Sequence, residues 1–304
     1  MVAKGKGQGT QPDDVPGPPG SLDLIGVALI ILAEMRKKCG VGVPNEGDAH
    51  RTGAAAFERV AAIMDGTRSP VSWQGSAANA HAEANEQQQR RAREMSEVDA
   101  AVADIVRTEA GHVQATRDAI DDAVAYLEKC APIADALSAI KRVGEIASLA
   151  FQAKAVSYAL PPAKERFATM AVQSGEYAQV LRSLTAGYPQ TAGGGGGGGG
   201  ADALRVAPGD LLPIADGHHI VARSTADAAA LTTQVADDVI QSHGIVCTPT
   251  FHVLLEAETI RAKSAAKIQA RSEYLGDSVK SAADQYAAAD RRLSEGTNRL
   301  QFPA

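Results

Sequence analysis

The chain has 304 residues, enough for one or two domains with a substantial core. Its formal net charge of −6 excludes the strongly basic surface that nucleic acid or an anionic membrane would call for. Aromatic residues make up only 4%, and no stretch sustains the period-2 alternation of β-branched residues that a sheet needs, so the composition points to alanine-rich, closely packed helices.

In chain order, residues 1–20 are rich in Gly, Pro and Lys and are predicted to be disordered. A short helix follows, capped by Ser21 or Asp23 and reaching about Lys38. Its apolar run, Leu24 to Ala33, is too short to span a bilayer. Lys4 and Lys6 precede it as in a secretion leader. Asp13 and Asp14 intervene, however, and Glu34-Met35-Arg36-Lys37-Lys38 stands where a small-residue cleavage site would be, so no cleaved signal peptide is expected. The connector Gly40-Val41-Gly42-Val43-Pro44-Asn45-Glu46-Gly47 lacks a following Gly-Lys-Ser/Thr and a preceding strand, which rejects a phosphate loop. Asp48 to Asp65 reads as a helix carrying Phe57 and Ile63, and Gly66-Thr67-Arg68-Ser69-Pro70 ends it.

Trp73-Gln74-Gly75 contains the single tryptophan of the chain. It separates that helix from a proline-free run that starts at Ser76 and lasts to Ala131, and so sits in the elbow of a helical hairpin. By chemistry alone Trp73 is a core residue at a turn, with Gly75 permitting the tight backbone. Met95, Val98, Val102 and Ile105, then Val113, Thr116, Ile120, Val124 and Leu127, form one apolar stripe along the second arm. Pro132 marks its end or a kink. One helix is expected from about Ile133 to Ala159, where Pro161-Pro162 stops it, and another from there to Leu184.

Gly193 to Gly200 is an unbroken glycine tract, which cannot pack and reads as a flexible linker. Beyond it Asp210 is an N-cap candidate, and Leu212, Ala215, His219, Ala222, Ala226, Ala229, Thr233, Ala236 and Ile240 recur by three and four. His243-Gly244 through Pro249 forms a turn. Thr250 can cap a last helix of roughly 45 residues, on the order of 65 Å long. Its seam is Phe251, Leu254, Glu258, Arg261, Ala265, Ile268, Ser272, Leu275, Val279, Ala282, Tyr286, Ala289 and Leu293. Glu258 and Arg261 pair either with each other or with the first half of the chain.

These elements define an all-α fold: two long helical hairpins packed as an elongated four-helix bundle with extra helices, joined by a polyglycine linker. The domains are 1–20, a disordered N-terminus; 21–186, a helical domain with the Trp-x-Gly turn; 187–202, the linker; and 203–304, a second helical hairpin. The two halves are expected to pair within one chain, with Phe57, Val98, Val102, Ile105, Leu254, Ile268, Leu275 and Val279 at the interface. Cys39, Cys130 and Cys247 fit no zinc or Cys-x-x-Cys spacing, and admit either free thiols or one bridge with one cysteine left over. His218 and His219 face different sides of a helix, His243 and His252 bracket a turn, and no second Cys or carboxylate in sequence completes a ligand set. No metal, cofactor or catalytic residue is predicted, and an enzyme is not expected.

Both halves resemble proteins associated with the actinobacterial ESX (type VII) secretion systems. Residues 21 to about 130 resemble the EspA/EspE-type N-terminal domain through the Gly40–Gly47 connector, Phe57-Glu58, Trp73-x-Gly75-Ser76-Ala77-Ala78 and Val113-Gln114-x-Thr116-Arg117-Asp118. Residues 203 to about 295 resemble the EspC-type small partner through Leu204-Arg205-Val206-x-Pro208, His218-His219, His243-Gly244 with Cys247, and Tyr286-Ala287-Ala288-Ala289-Asp290. The resemblance implies a secreted or cell-surface protein exported as a folded helical pair. The composite signal it implies is Trp73 and Gly75 on one hairpin and Tyr286 and Asp290 on the other. The expected partners are the secretion machinery with its motor ATPase and an ESX-specific chaperone, with a homo-oligomer as a further state. In the family the two halves are usually separate chains, whereas here one follows the other. The alternative reading is an extracellular structural or membrane-acting helical assembly protein, with Leu24–Ala33 as a working part.

Overall fold

The computed structural model describes residues 23–188 and 207–299, with side chains to Glu295. The expected disordered N-terminus 1–20, most of the expected linker, and Leu204-Arg205-Val206 lie outside the described residues. Among those described, every regular element is helical: α1 (Leu24–Lys38), α2 (Asp48–Asp65), α3 (Ser76–Ser138), α4 (Gly144–Thr185), α5 (Pro208–Ala230), α6 (Val235–His243) and α7 (Thr248–Arg299), with a 3-10 turn at Ile245–Cys247 before α7. The chain divides into two compact units, the described part of Met1–Glu34 with Ala119–Lys164, and Met35–Asp118 with the described part of Glu165–Ala304. The divisions fall within α1, α3 and α4.

The helix boundaries expected at prolines need correction. α3 runs through Pro132 to Ser138, and α4 runs through Pro161-Pro162 to Thr185. A proline frees the carbonyl four residues earlier, here Glu128, Ser157 and Tyr158, and all three residues are exposed, so water can satisfy what the helix loses. The break lies instead at 139–143, where Arg142 takes φ 77° before Gly144. The second half also breaks unexpectedly. α5 ends at Ala230 and α6 begins at Val235, with Gln234 in the left-handed region at φ 76°. Ala236 N–H at the start of α6 donates to Glu258 Oε1 at 2.7 Å, so a side chain from α7 caps it. Asp210 is no N-cap: α5 begins at Pro208, and Asp210 Oδ2 accepts from Ser72 Oγ at 2.7 Å.

In the first unit, Gln152 Oε1 accepts from Leu24 N at 2.9 Å, holding the free N–H groups that open α1. Ser148 Oγ donates to Ala134 O at 2.8 Å between α4 and α3, and Leu32, Ala123, Leu127 and Ala155 of this unit are buried. The α1 face with Val27 and Ile30 stays exposed.

In the second unit, α2 and α3 run antiparallel. Ser96 Oγ donates to Ala54 O, Gln89 Nε2 to Ala61 O and Asn85 Nδ2 to Met64 O, so positions rise along one helix as they fall along the other. Phe57, Val60, Met64, Met95, Val221 and Ile268 share one buried cluster, and Val102, Val106, Leu181, Val239 and Leu254 share a second. Val98 packs against both, and Ile105 is half-buried against the second. Along α7, Leu254, Arg261, Ala265, Ile268, Ser272, Leu275 and Val279 are buried as the period predicts, whereas Ala289 and Leu293, expected on the same seam, are exposed. Along α5 the expected seam holds at Ala215 and Ala222, which are buried, but Leu212 is exposed and the buried face also takes in Leu211, Ile214, His218, Val221 and Thr225.

The 40–47 connector packs its backbone onto the end of α6. A Cβ at Gly40 would stand 2.6 Å from Gly244 N, and Gly244 itself has φ 83° and ψ 175°. Only glycine combines that conformation with so close an approach. Gly244→Ala is therefore expected to lower the urea midpoint by the equivalent of about 1–3 kcal/mol, whereas Gly111→Ala, with nothing near its Cβ position, is expected to be neutral or slightly stabilising.

Candidate functional site

The turn between α2 and α3 places Trp73 at one end of the second unit. Trp73 is buried with Ala78 of α3, with Leu211, Ile214 and Ala215 of α5, and with Val279 and Ala283 of α7. Ala282 and Tyr286 pack against the same cluster, so the tryptophan of the turn and the tyrosine of the last helix are brought together. Gly75 takes φ 113° and sends its carbonyl to Asn79 N at 3.1 Å, opening α3. Asp290 is exposed, one turn beyond Tyr286 on α7. Beside the cluster runs a groove of about 580 Å³ between α3 and α7, lined by Trp73, His81, Ala84, Tyr274, Leu275 and Val279 among others.

Beneath Trp73 lies a histidine pair. The Trp73 and His81 rings stand 5.0 Å apart, and His81 Nε2 is 2.9 Å from His218 Nε2. One proton assignment satisfies all of these contacts together. Ser69 Oγ donates to Ala78 O at 3.2 Å, so the hydroxyl accepts from His81 Nδ1–H at 3.0 Å. His81 Nε2 is then bare and accepts from His218 Nε2–H, leaving His218 Nδ1 a buried lone pair without a partner. A second proton on either ring has no acceptor to go to. Burial holds His81 down to about 4, and burial with the neighbouring His81 holds His218 down to about 3.

The middle of the unit is organised by Arg261 of α7. Its Nε donates to Asp99 Oδ1 at 2.8 Å and its Nη2 to Asp99 Oδ2 at 2.7 Å, while Ala228 O and Ala229 O each accept at 3.1 Å. Arg261 is thus paired with α3 and not with Glu258. Tyr188, expected to lie in the linker, is instead fully buried, and its hydroxyl donates to Asp99 Oδ1 at 2.8 Å. Burial alone would raise the pKa of Asp99; hydrogen bonding and charge from His50 and Arg261 more than reverse it, so the group stays ionised. Gly53 makes room for the pair, since a Cβ there would lie 2.7 Å from both Arg261 Nη2 and Asp99 Oδ2. Arg261 also stacks on Phe57, 5.0 Å from the ring centre.

Toward the other end, Arg117 reaches from α3 under the connector. Its Nε donates to Cys39 O at 3.0 Å and its Nη1 to Gly42 O at 2.5 Å, and Ser242 O of α6 also accepts from it. About two turns earlier on α3, Glu109 meets the α6–α7 turn. His243 Nδ1 is 3.1 Å from Glu109 Oε2, and Thr250 Oγ1 donates to Glu109 Oε1 at 2.6 Å. Thr250 therefore does not cap α7, which begins at Thr248. The expectation that no carboxylate joins His243 and Cys247 also fails: α3 supplies Glu109, and the three side chains are buried together. The three cysteines are free thiols.

Two segments of the chain are similar to ESX-associated proteins. Residues 39–122 match the model of the EspA/EspE family, and residues 200–296 match that of the excreted virulence factor EspC, type VII ESX diderm. The chain thus carries an EspA/EspE-type segment followed by an EspC-type segment. Among curated proteins it is similar to ESX-1 secretion-associated protein EspA of Mycobacterium tuberculosis, 32% identical over 38% of this chain and 29% of the relative. It is also similar to ESX-1 secretion-associated protein EspE of Mycolicibacterium smegmatis, 25% identical over 59% of this chain and 34% of the relative. The chain therefore spans about a third of the length of these relatives. No solved structure matches it.

Proposed function

We propose that this chain is an exported substrate or accessory protein of an ESX type VII secretion system, a self-paired four-helix unit that carries its own composite signal. The signal joins Trp73 and Gly75 at the α2–α3 turn to Tyr286 and Asp290 near the end of α7. The glycine tract serves as the linker that lets the two segments pair, and a motor ATPase reads the folded pole. An ESX-specific chaperone is a further partner. The chain goes to the cell surface or beyond and carries no catalysis. The observation that carries this reading is the cluster shared by Trp73 and Tyr286, from which exposed Asp290 continues one turn further.

Export is the test. Asp290→Ala is expected to abolish appearance in culture filtrate from an ESX-competent host while the protein remains in the lysate. Its melting curve should stay near wild type, since an exposed substitution usually costs within about 0.5 kcal/mol. Tyr286→Ala should also block export, at a larger stability cost because it removes a packed ring. Asp290→Ala secreted at the wild-type level would refute the signal.

A second reading, a structural or membrane-acting assembly protein outside the cell, draws on the exposed Val27 and Ile30 of α1. No described helix is long and apolar enough to cross a membrane. Truncation after Leu275 separates the two readings: the signal reading expects export to be lost, and the assembly reading expects self-association to be lost.

A further inference from the structure

We propose that Glu109, His243 and Cys247 form a buried zinc site that clips α3 to the turn between α6 and α7. The three ligand types come from separate places: a carboxylate in the middle of α3, an imidazole on the last residue of α6, and a thiol in the 3-10 turn. Their donor atoms nonetheless lie within 4.8 Å of one another, and all three side chains are buried. Carboxylate, imidazole and thiolate together form a donor set suited to zinc.

The surroundings orient each ligand. His243 Nε2 lies 3.0 Å from Asn45 O, and a carbonyl can only accept, so that nitrogen carries the hydrogen and Nδ1 is the one turned to Glu109 and Cys247. Glu109 Oε1 is held by Thr250 Oγ1 at 2.6 Å, which itself stands 3.1 Å from Ser174 Oγ, so Oε2 is the oxygen directed at the histidine. A histidine fixed through its far N–H by a backbone carbonyl, and a carboxylate fixed through its far oxygen by a hydroxyl, are the supports that zinc ligands ordinarily have.

Charge balances as well. Without metal, one proton lies between Glu109 and His243 and another on the Cys247 thiol. Zinc takes the Nδ1 lone pair, Oε2 and the thiolate, and both protons leave to solvent. A dication replaces two protons, so the buried site keeps its net charge. The fourth position goes to a water. The site would tie the EspA/EspE-type segment to the EspC-type segment, and it stands independently of the export reading.

The test uses the full chain, unfolded in denaturant with a chelator, desalted, and refolded with or without Zn²⁺. Mass spectrometry of the refolded protein should find roughly one zinc per chain. The melting temperature should rise by roughly 5–10 °C over the metal-free sample. Cys247→Ser and Glu109→Gln should lose both effects, and Cys130→Ser should keep them. Refolding with Co²⁺ provides a readout on the unmutated protein, through a thiolate-to-metal charge-transfer band that an ion pair between Glu109 and His243 cannot give. Wild-type protein that retains no zinc, lacks the cobalt band, or binds zinc equally after Cys247→Ser would overturn the site.

Discussion

Replacing Arg261 by methionine is expected to cost about 3–5 kcal/mol, the cost of leaving one member of a buried ion pair without the other. Methionine keeps most of the volume and the contact with Phe57, so the loss falls on Asp99. That carboxylate would retain Tyr188, with His50 at 3.7 Å, inside a region with no exposure of either carboxylate or imidazole. Two backbone carbonyls, Ala228 O and Ala229 O, would also lose their donors. Urea denaturation should show the shift. Arg261→Met combined with Asp99→Leu should recover much of it, because the uncompensated charge is then gone. A single variant within about 1 kcal/mol of wild type, or a double variant no better than the single, would show that Asp99 is solvated some other way.

The second large effect is acid sensitivity. His81 and His218 titrate in the folded chain at about 4 and about 3, below the ordinary histidine value of 6.5. As pH falls from 6.5, the unfolded chain takes up protons that the folded chain refuses. The stability from the neutral pair is thus fully present above pH 6.5 and is lost as pH falls toward 4 and then 3. Each histidine contributes a slope of about 1.4 kcal/mol per pH unit in that window, so the pair contributes about 3 kcal/mol per unit. Asp99, whose pKa is also lowered, begins to lose its contribution only near its own ordinary value of 3.8, below most of this range. Denaturation midpoints from pH 7 to pH 4.5 should fall steeply in the wild type and much less in His81→Gln/His218→Gln. Trp73, the single tryptophan, packs on His81 and should report the change in its fluorescence at the same pH. Equal pH slopes in the two proteins would sink the assignment.

Much of this molecule is legible from local physics. The all-helical class follows from alanine content and the absence of strand periodicity. The bounds of α2 and the start of α3 follow from Asp48, the Gly66–Pro70 breaker and Gly75, because helix ends are set by residues within a few positions. The α7 seam follows from its period as far as Val279, since a long helix against a core keeps register over many turns, and it fails at Ala289 and Leu293, which are exposed.

What sequence reading missed depends on neighbours far along the chain. Prolines 132, 161 and 162 sit in helices because their freed carbonyls face water, and exposure is a tertiary property. The buried face of α5 includes His218, whose ring meets His81, 137 residues away. Tyr188 leaves the expected linker because a buried carboxylate, Asp99, accepts its hydroxyl hydrogen. Likewise Glu109 carries no local mark that sets it apart from the exposed acids of α3. Only folding brings it to His243 and Cys247, because ligand sets and ion pairs are made by distance in space, while sequence patterns register only neighbours along a helix or turn. Composition, breakers and periodicity therefore determined the helical class and the ends of α2, and tertiary packing decided where the longer helices break and which polar side chains meet between them.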